Sequence, residues 1–302
     1  MIVESFLKYI RYEKNYSSHT VLSYKNDLLQ FIRHIEGETG GFDPLSVDAD
    51  LIRGYISSLM EEGVSPVSVG RKLSSLRTFY KYLVKTGQIE VSPLSGIQKP
   101  RSGKRLPVFV RQAEMDNLLD GGAFDDTFAG VRDRLILSML YNTGMRRAEL
   151  ISLRDKDIDF SASVIRVTGK RDKQRIIPFG DELKAEIENY MNIRAKEVGE
   201  RAEAFLVRED GRELYPGLVY RIVTAALSEV TTLSKRSPHV LRHTFASAML
   251  NNGADIDSVK ELLGHNSLSS TQVYTHVTFE ELKKNYNQAH PRAVKKGGFY
   301  GH

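Results

Sequence analysis

Apolar side chains in the first hundred residues recur at the three- and four-residue spacing of amphipathic helices. The pattern predicts long helices over 21–35 and 73–83, with a shorter amphipathic segment over 50–60 between them. Ser18 or Thr20 is the candidate N-cap of the first of these helices. Because no alternating strand pattern precedes residue 100, we predict a bundle of four or five short helices.

The pattern changes over residues 92–107, where prolines and glycines interrupt it in the manner of a linker. Its four basic side chains suit a chain that crosses a phosphate backbone, although a solvated interdomain loop has the same composition. These side chains are Lys99, Arg101, Lys104 and Arg105. We therefore predict a helical domain over 1–97, a basic linker over 98–107, a second domain over 108–294 and a flexible tail over 295–302.

Helical patterns return after the linker and surround one short hairpin. An apolar stripe over 135–140 ends at the helix-breaking pair Thr143-Gly144. Residues 164–168 and 175–179 have the character of short strands on either side of a basic turn, and Pro178 places the second strand at a sheet edge. Further helices are predicted over 181–197, 215–227, 238–251 and 256–263, and from about Ser270. The second domain is thus predicted to be mostly helical with a small sheet.

The composition excludes several classes of protein but does not indicate a function. The chain has 302 residues, with 43 Lys and Arg against 38 Asp and Glu, and no cysteine. The net charge of +5 permits nucleic-acid binding without requiring it. The lack of cysteine excludes disulfides, thiolate catalysis and cysteine-ligated metals. No stretch reaches the roughly 20 apolar residues of a membrane helix and no secretory signal is visible, so we expect a cytoplasmic protein.

The segment Ser237-Pro238-His239 is typical of a helix start, with serine at the N-cap and proline at the first helical position. Arg242 follows His239 by one turn on the same helix face. An imidazole and a guanidinium beside a helix N-terminus can form an anion site. On these residues alone, a helix end with a surface arginine explains the pattern at least as well.

Two further groups of polar residues admit both a functional and an ordinary interpretation. Arg146 and Glu149 share a helix face, so the carboxylate either orients the guanidinium or forms a surface ion pair of little energy. The turn over 169–175 is strongly basic, and a lysine at its tip can reach a DNA groove and deliver a proton. Most basic turns, however, are only solvated.

The last group of candidate residues follows a helix stop. Gly264 is a typical C-terminal cap, and His265 comes directly after it. Tyr274 lies nine residues further on, in a chain of 14 tyrosines, most of which are expected to be packing residues. Each of these signals is weak alone, and their order along the chain carries the information.

That order resembles the tyrosine recombinase (lambda-integrase) family over nearly the whole chain. The matching segments are Thr143-Gly144-Met145-Arg146 with Glu149, Gly169-Lys170, His239-x-Leu241-Arg242-His243, Leu263-Gly264-His265 and Tyr274-Thr275-His276. Near the N-terminus, Asn15-Tyr16-Ser17 with Thr20 and Tyr24 is similar to the start of the family's core-binding domain. The segment His290-Pro291-Arg292-Ala293 is similar to the end of Xer-type recombinases.

The resemblance implies a mainly α fold with a small β-sheet. An N-terminal helical core-binding (SAM-like) domain and a mixed α/β catalytic domain would close around duplex DNA as a C-shaped clamp. Tyr274 would attack a backbone phosphodiester, leaving a 3′-phosphotyrosyl bond and a free 5′-hydroxyl. The covalent ester conserves bond energy, so ATP is not needed. The sequence shows no carboxylate cluster of the two-metal kind, so we expect neither a metal nor another cofactor.

The resemblance also assigns roles by position. Arg146 and Arg242 would bracket the phosphate as negative charge builds on its oxygens. His239 and His265 would hydrogen-bond to the phosphate, with His239 also a candidate base, and Lys170 would protonate the departing 5′-oxygen. Glu149 would orient these side chains from behind. The candidate DNA contacts are Lys99, Arg101, Lys104, Arg105, Arg171 and Lys173.

Three functions stay open under this resemblance. The first is an Xer-type recombinase that resolves chromosome dimers at a fixed site, which the compact length and the His-Pro-Arg-Ala segment favour. The second is a mobile-element integrase or invertase with the same chemistry. The third is a non-catalytic DNA-binding relative, and the intact Tyr274, Lys170 and arginines argue against it.

The expected partners follow from strand exchange between two DNA duplexes. They are double-stranded DNA with a specific core site and a homo- or hetero-tetramer on two such sites. A second recombinase and a DNA translocase are further candidates, and no membrane is expected. The resemblance also implies an exchange helix that docks on a neighbouring protomer, with Leu282, Tyr286 and Ala289 as its apolar stripe. The alternative is that this stripe packs on its own domain.

Overall fold

The computed structural model describes residues 2–101, 108–169, 173–199, 203–264 and 279–293. The chain divides into two compact units, Met1–Arg105 and Leu106–His302. The first unit contains α1 (Ile2–Lys8), a π-helical segment (Tyr9–Glu13), α2 (Ser18–Thr39), α3 (Ala49–Glu61) and α4 (Pro66–Lys85). These elements confirm the prediction of four or five short helices.

Local capping explains where the helices of the first unit begin. The N-cap of α2 is Ser17, whose hydroxyl accepts a hydrogen bond from the backbone N–H of Thr20 at 3.3 Å. The predicted caps Ser18 and Thr20 are therefore wrong, because both lie inside the helix. Ser65 caps α4 in the same way, with Pro66 at the first helical position.

The apolar positions that predicted these helices form the interior of the first unit. Phe31, Leu76 and Phe79 are completely buried. Asp27 lies in this interior and is paired with the guanidinium of Arg71 at 2.5 and 2.8 Å. The pairing is expected, because an isolated carboxylate would be too costly to bury.

The second unit is also mainly helical and contains a small sheet. Its helices are α5 (Gln112–Asp120), α6 (Phe128–Thr143), α7 (Arg147–Ile151), α8 (Asp181–Glu197), α9 (Pro216–Val230), α10 (Pro238–Asn251), α11 (Ile256–Leu263) and α12 (Phe279–Ala289). A 3₁₀ turn (Asp155–Asp157) leads into β1 (Ile158–Asp159), which is followed by β2 (Val164–Thr168) and β3 (Gln174–Pro178). The short elements α5, α7 and β1 were not predicted. The helix expected from about Ser270 would begin outside the described residues.

The three described strands form an antiparallel sheet in the order β1-β2-β3. Ile165 pairs with Ile177, and Val167 pairs with Arg175. Among these strands β3 lies at an edge, as Pro178 predicts. No helix in the described part of the chain is long and apolar enough to cross a membrane.

Helix α6 forms the centre of the second unit, with α8 and α10 packed against it. All eight residues from Leu135 to Asn142 are buried. The apolar stripe predicted over 135–140 therefore covers only part of the buried surface of this helix. Helix α12 packs on α10, α11 and β3 of the same chain and buries Leu282, Tyr286 and Ala289 there. In this structure the stripe thus packs on its own unit, and its docking on a neighbouring protomer is an untested prediction.

Candidate active site

A tight helix break brings the first candidate arginine into place. Helix α6 ends at Gly144, which has φ +59°. A methyl group there would lie 2.4 Å from Cδ1 of Phe245, so both the backbone conformation and the space require glycine. The chain then restarts as α7 with Arg146 at the N-cap position.

Glu149 is the carboxylate around which the site is built. It accepts hydrogen bonds from the backbone N–H of Arg146 at 2.7 Å and from Nη1 of Arg146 at 2.9 Å. Both terminal nitrogens of Arg175 donate to it as well, at 2.8 and 2.9 Å. Burial alone would raise the pKa of Glu149, but the hydrogen bonds from Arg175 and Arg146 outweigh burial and lower the pKa to about 2. The side chain is therefore a fully ionised anchor at neutral pH.

Arg242 reaches the same place from α10. Pro238 occupies the first helical position and Ser237 the N-cap position, as predicted, but the serine hydroxyl makes no capping hydrogen bond. The buried guanidinium of Arg242 donates to the carbonyls of Gly144 and Leu263, both at 2.6 Å. Burial, and then the charges of Arg146 and Arg175, lower the pKa of Arg242 to about 10, so it is still protonated at pH 7.

Three arginines meet at the C-terminal end of α11, which Gly264 terminates with φ +64°. Nε of Arg175 donates to the carbonyl of Leu262 at 2.7 Å, and Arg146 Nη2 donates to the carbonyl of Gly264 at 3.2 Å. With the bond from Arg242 to Leu263, three successive carbonyls are satisfied by three guanidinium groups. Cations at this end also interact favourably with the helix dipole. The arginines thus fix the C-terminal end of α11, directly before residue 265 in the sequence.

The base of the predicted hairpin lies beside the same carboxylate. The backbone N–H of Gly169 donates to the carbonyl of Lys173 at 2.8 Å and closes the turn. A methyl group on Gly169 would lie 3.5 Å from Oε1 of Glu149. Lys170 and Arg171 lie outside the described residues, and Lys173 is exposed.

His239 lies in the first turn of α10 and is exposed. Partial desolvation of the ring lowers the pKa of His239, and the charges of His243, Arg242, Lys235 and Arg147 lower it further. The neutral imidazole is therefore favoured at pH 7, which is the form that can accept a proton.

The other predicted site residues do not join this cluster among the described residues. Lys99 is exposed in the first unit and donates to the hydroxyl of Ser74 at 3.1 Å, and Arg101 is also exposed. Arg147, the neighbour of Arg146, donates to the carbonyl of Pro216 at 3.1 Å instead. Four more predicted residues lie outside the described part of the chain, namely Lys104, Arg105, His265 and Tyr274.

Arg175 also belongs to the cluster and is not among the predicted site residues. Its place in the basic turn over 169–175 favours a solvated side chain. The available signal was the alternation of β3, which places Arg175 on the same face as the buried Ile177. An arginine on an inward face needs a carboxylate partner, and Glu149 is that partner.

The described charges of the cluster leave an excess of positive charge. Arg146, Arg175 and Arg242 outnumber Glu149 by two charges, and the pairing of Glu149 with Arg146 and Arg175 leaves Arg242 bound only to carbonyls. Such a site attracts an anion with several acceptor oxygens, such as a phosphodiester. Within the described residues, no group of three or more His, Asp or Glu side chains could hold a metal ion.

Comparison with known families agrees with this chemistry. The sequence pattern of the phage integrase family matches residues 109–281, and that of the phage integrase N-terminal SAM-like domain matches residues 3–87. The chain belongs to the phage integrase family of tyrosine recombinases. It is thus a site-specific recombinase, an enzyme that cleaves and rejoins DNA, and the prediction of this family and activity is confirmed.

Similar recombinases span almost the whole of this chain. Tyrosine recombinase XerC of Chlorobaculum tepidum is 39% identical and covers 95% of this chain and 94% of its own length. Tyrosine recombinase XerC of Bacillus subtilis is 36% identical and covers 97% of each chain.

Two solved structures show the same fold. The XerH recombinase bound to difH substrate in a pre-cleavage complex has a TM-score of 0.70 at 21% identity, covering 93% of this chain and 83% of that one. A lambda integrase dimer bound to a COC′ core site has a TM-score of 0.68 at 18% identity, covering 91% and 98%. The predicted fold class, a helical SAM-like domain followed by a mixed α/β catalytic domain, is confirmed.

Proposed function

We propose that this recombinase acts through Tyr274, with Arg146 and Arg242 as the pair that binds the scissile phosphate. The observation that carries the proposal is the convergence of both arginines on the C-terminal end of α11. They come from α10 and the start of α7, and both remain cationic against a single carboxylate, Glu149. A phosphodiester placed against them would gain charge stabilisation as its oxygens become more negative.

The same charges explain why a phenol can serve as the nucleophile. A tyrosine has a pKa near 10 and is a poor nucleophile at pH 7. Neutralising the phosphate with two guanidinium groups makes it a better electrophile and stabilises the approaching phenolate. His239, which is favoured in its neutral form, would accept the phenolic proton, and His265 would donate a hydrogen bond to the phosphate.

Lys170 completes the proposed reaction as the acid that protonates the departing 5′-oxygen. The neighbouring residue Gly169 lies beside Glu149, so the hairpin starts at the phosphate-binding cluster. The remaining basic residues of the linker and the hairpin would contact the DNA backbone. These are Lys99, Arg101, Lys104, Arg105, Arg171 and Lys173.

For the biological role we propose Xer-type resolution of chromosome dimers in the cytoplasm. The support is the similarity over nearly the full length to proteins named XerC, at 36–39% identity. The working assembly would be a homo- or hetero-tetramer on two core sites, with a paralogous recombinase and a DNA translocase as candidate partners. A gene deletion that leaves chromosome dimers resolved at the wild-type frequency would contradict this role and favour a mobile-element function.

The chemistry is tested with a nicked suicide substrate, from which the cleaved strand end diffuses away and traps the covalent intermediate. The wild-type protein should form a 3′-phosphotyrosyl adduct, whereas Tyr274→Phe should bind the DNA and form none. Tyr12→Phe is the matched control, because Tyr12 is an exposed tyrosine of the first unit. This variant should form the adduct at the wild-type yield. An adduct of unchanged yield in Tyr274→Phe would disprove the assignment of the nucleophile.

A further inference from the structure

Arg175 connects three segments of the site through a single side chain. It extends from β3, five residues after Lys170, and its side chain is only 9% exposed. Its two terminal nitrogens hold both oxygens of Glu149, and its Nε holds the carbonyl of Leu262. A methyl group on Gly264 would lie 3.2 Å from its Cδ, so the aliphatic part also covers the end of α11.

The charge of Arg175 changes the electrostatic balance around Glu149. If Glu149 faced Arg146 alone, their two charges would cancel, and Arg242 would be the one arginine of the cluster left to meet the phosphate with its full charge. Arg175 binds the carboxylate with two hydrogen bonds, the strong paired geometry of an arginine and a carboxylate. The three groups together then keep one positive charge, and Arg146 can direct it at the phosphate.

Arg175 also connects the hairpin that carries Lys170 with the end of α11, which precedes His265. Its strand continues from the hairpin that begins at Gly169, and Leu262 lies three residues before His265. The distance between the hairpin and the end of α11 is thus set through one guanidinium group. Displacing a positioned group by about 1 Å can cost about 10²-fold in rate.

We propose that Arg175 is a positioning residue for DNA cleavage. It takes up the charge of Glu149, so that Arg146 keeps its charge for the phosphate, and it ties the hairpin to the end of α11. This inference rests on the proposed function, because it assumes that Arg146 binds the scissile phosphate.

The test compares Arg175→Met with wild-type protein in single-turnover cleavage of the suicide substrate, and DNA binding is measured separately. Arg175→Met should cleave about 10²-fold more slowly with unchanged DNA affinity. Arg175→Lys keeps the charge without the forked contact and should cleave at an intermediate rate. Arg166→Met is the matched control, because Arg166 is an exposed arginine of the adjacent strand β2. This variant should cleave the substrate at the wild-type rate.

A double variant separates positioning from a general loss of structure. If Arg175 acts by offsetting Glu149, then Arg175→Met with Glu149→Gln should cleave faster than Arg175→Met alone, because no carboxylate then cancels Arg146. A variant that had merely lost its fold would not recover in this way.

Two outcomes would overturn the inference while leaving the proposed function intact. One is wild-type cleavage by Arg175→Met, and the other is a double variant that is no faster than Arg175→Met. If the wild-type protein itself forms no adduct on its core site, the proposed function fails instead. The two failures are therefore distinguished within one assay.

Discussion

Replacing Glu149 with glutamine should destabilise the second unit by an amount that depends on pH. The substitution keeps the shape of the side chain and removes its charge. Glutamine also brings an NH₂ group, which would face the donors of Arg146 or Arg175. A buried cluster that has lost its carboxylate contains only cations, and breaking such a pairing is costly.

The magnitude follows from the pKa of Glu149, which the arginines lower from its ordinary value of 4.5 to about 2. The difference of about 2.5 pH units, at 1.36 kcal/mol per unit, corresponds to about 3 kcal/mol of stability. Because the folded-state pKa is depressed, this contribution is fully present above the unfolded-state pKa near 4.5. It is lost as the pH falls from there toward 2.

The assay is chemical denaturation of the full chain at pH 7, pH 5.5 and pH 3.5, for the wild type and Glu149→Gln. The difference in the free energy of unfolding should be about 3 kcal/mol at the two higher pH values and clearly smaller at pH 3.5. Glu229→Gln is the control, because Glu229 is exposed on α9 and should show no difference. The reasoning is refuted if the Glu149→Gln difference is the same at all three pH values.

Three further predictions concern the chemistry and the C-terminal segment. Lys170→Ala should slow cleavage by about 10²–10⁴-fold, and a 5′-bridging sulfur, which leaves without protonation, should restore the rate if Lys170 is the acid. Cleavage should persist in EDTA; loss of the adduct that magnesium reverses would contradict the metal-free mechanism. Arg292→Ala should lower the free energy of unfolding by about 2 kcal/mol, because the Arg292 guanidinium binds Asp120 at 2.8 and 2.9 Å and also Glu182. An unchanged denaturation midpoint would show that these ion pairs do not stabilise the fold.

Elements whose signals are local could be predicted from the amino-acid sequence. The helix over 73–83 could be predicted because its buried residues share one face and depend only on helical periodicity. The helix stops at Gly144 and Gly264 could be predicted for a similar reason, since the left-handed backbone conformation that ends a helix strongly favours glycine. The order of polar residues along the chain was likewise enough to indicate the family and its chemistry.

Short elements were missed because local signals are weak where tertiary packing decides. Helix α7 has only five residues, and it forms where Glu149 accepts the backbone N–H of Arg146 in the buried cluster. The predicted N-cap Ser18 lies one residue after the observed N-cap of α2, Ser17. Two neighbouring serines offer the same hydroxyl group, so the sequence does not distinguish them. The backbone conformation of Ser17 decides between them.

Which charged side chains meet depends on how the helices and strands pack. Arg146 and Glu149 are three residues apart, and from these residues alone a surface ion pair was the favoured interpretation over an oriented site residue. Burial of the carboxylate and the arrival of Arg175 from 26 residues away settled that choice. Likewise Arg242 finds the carbonyls of Gly144 and Leu263 across 98 and 21 residues. Side-chain periodicity encodes the face of an element, whereas the partner on that face depends on how the elements pack.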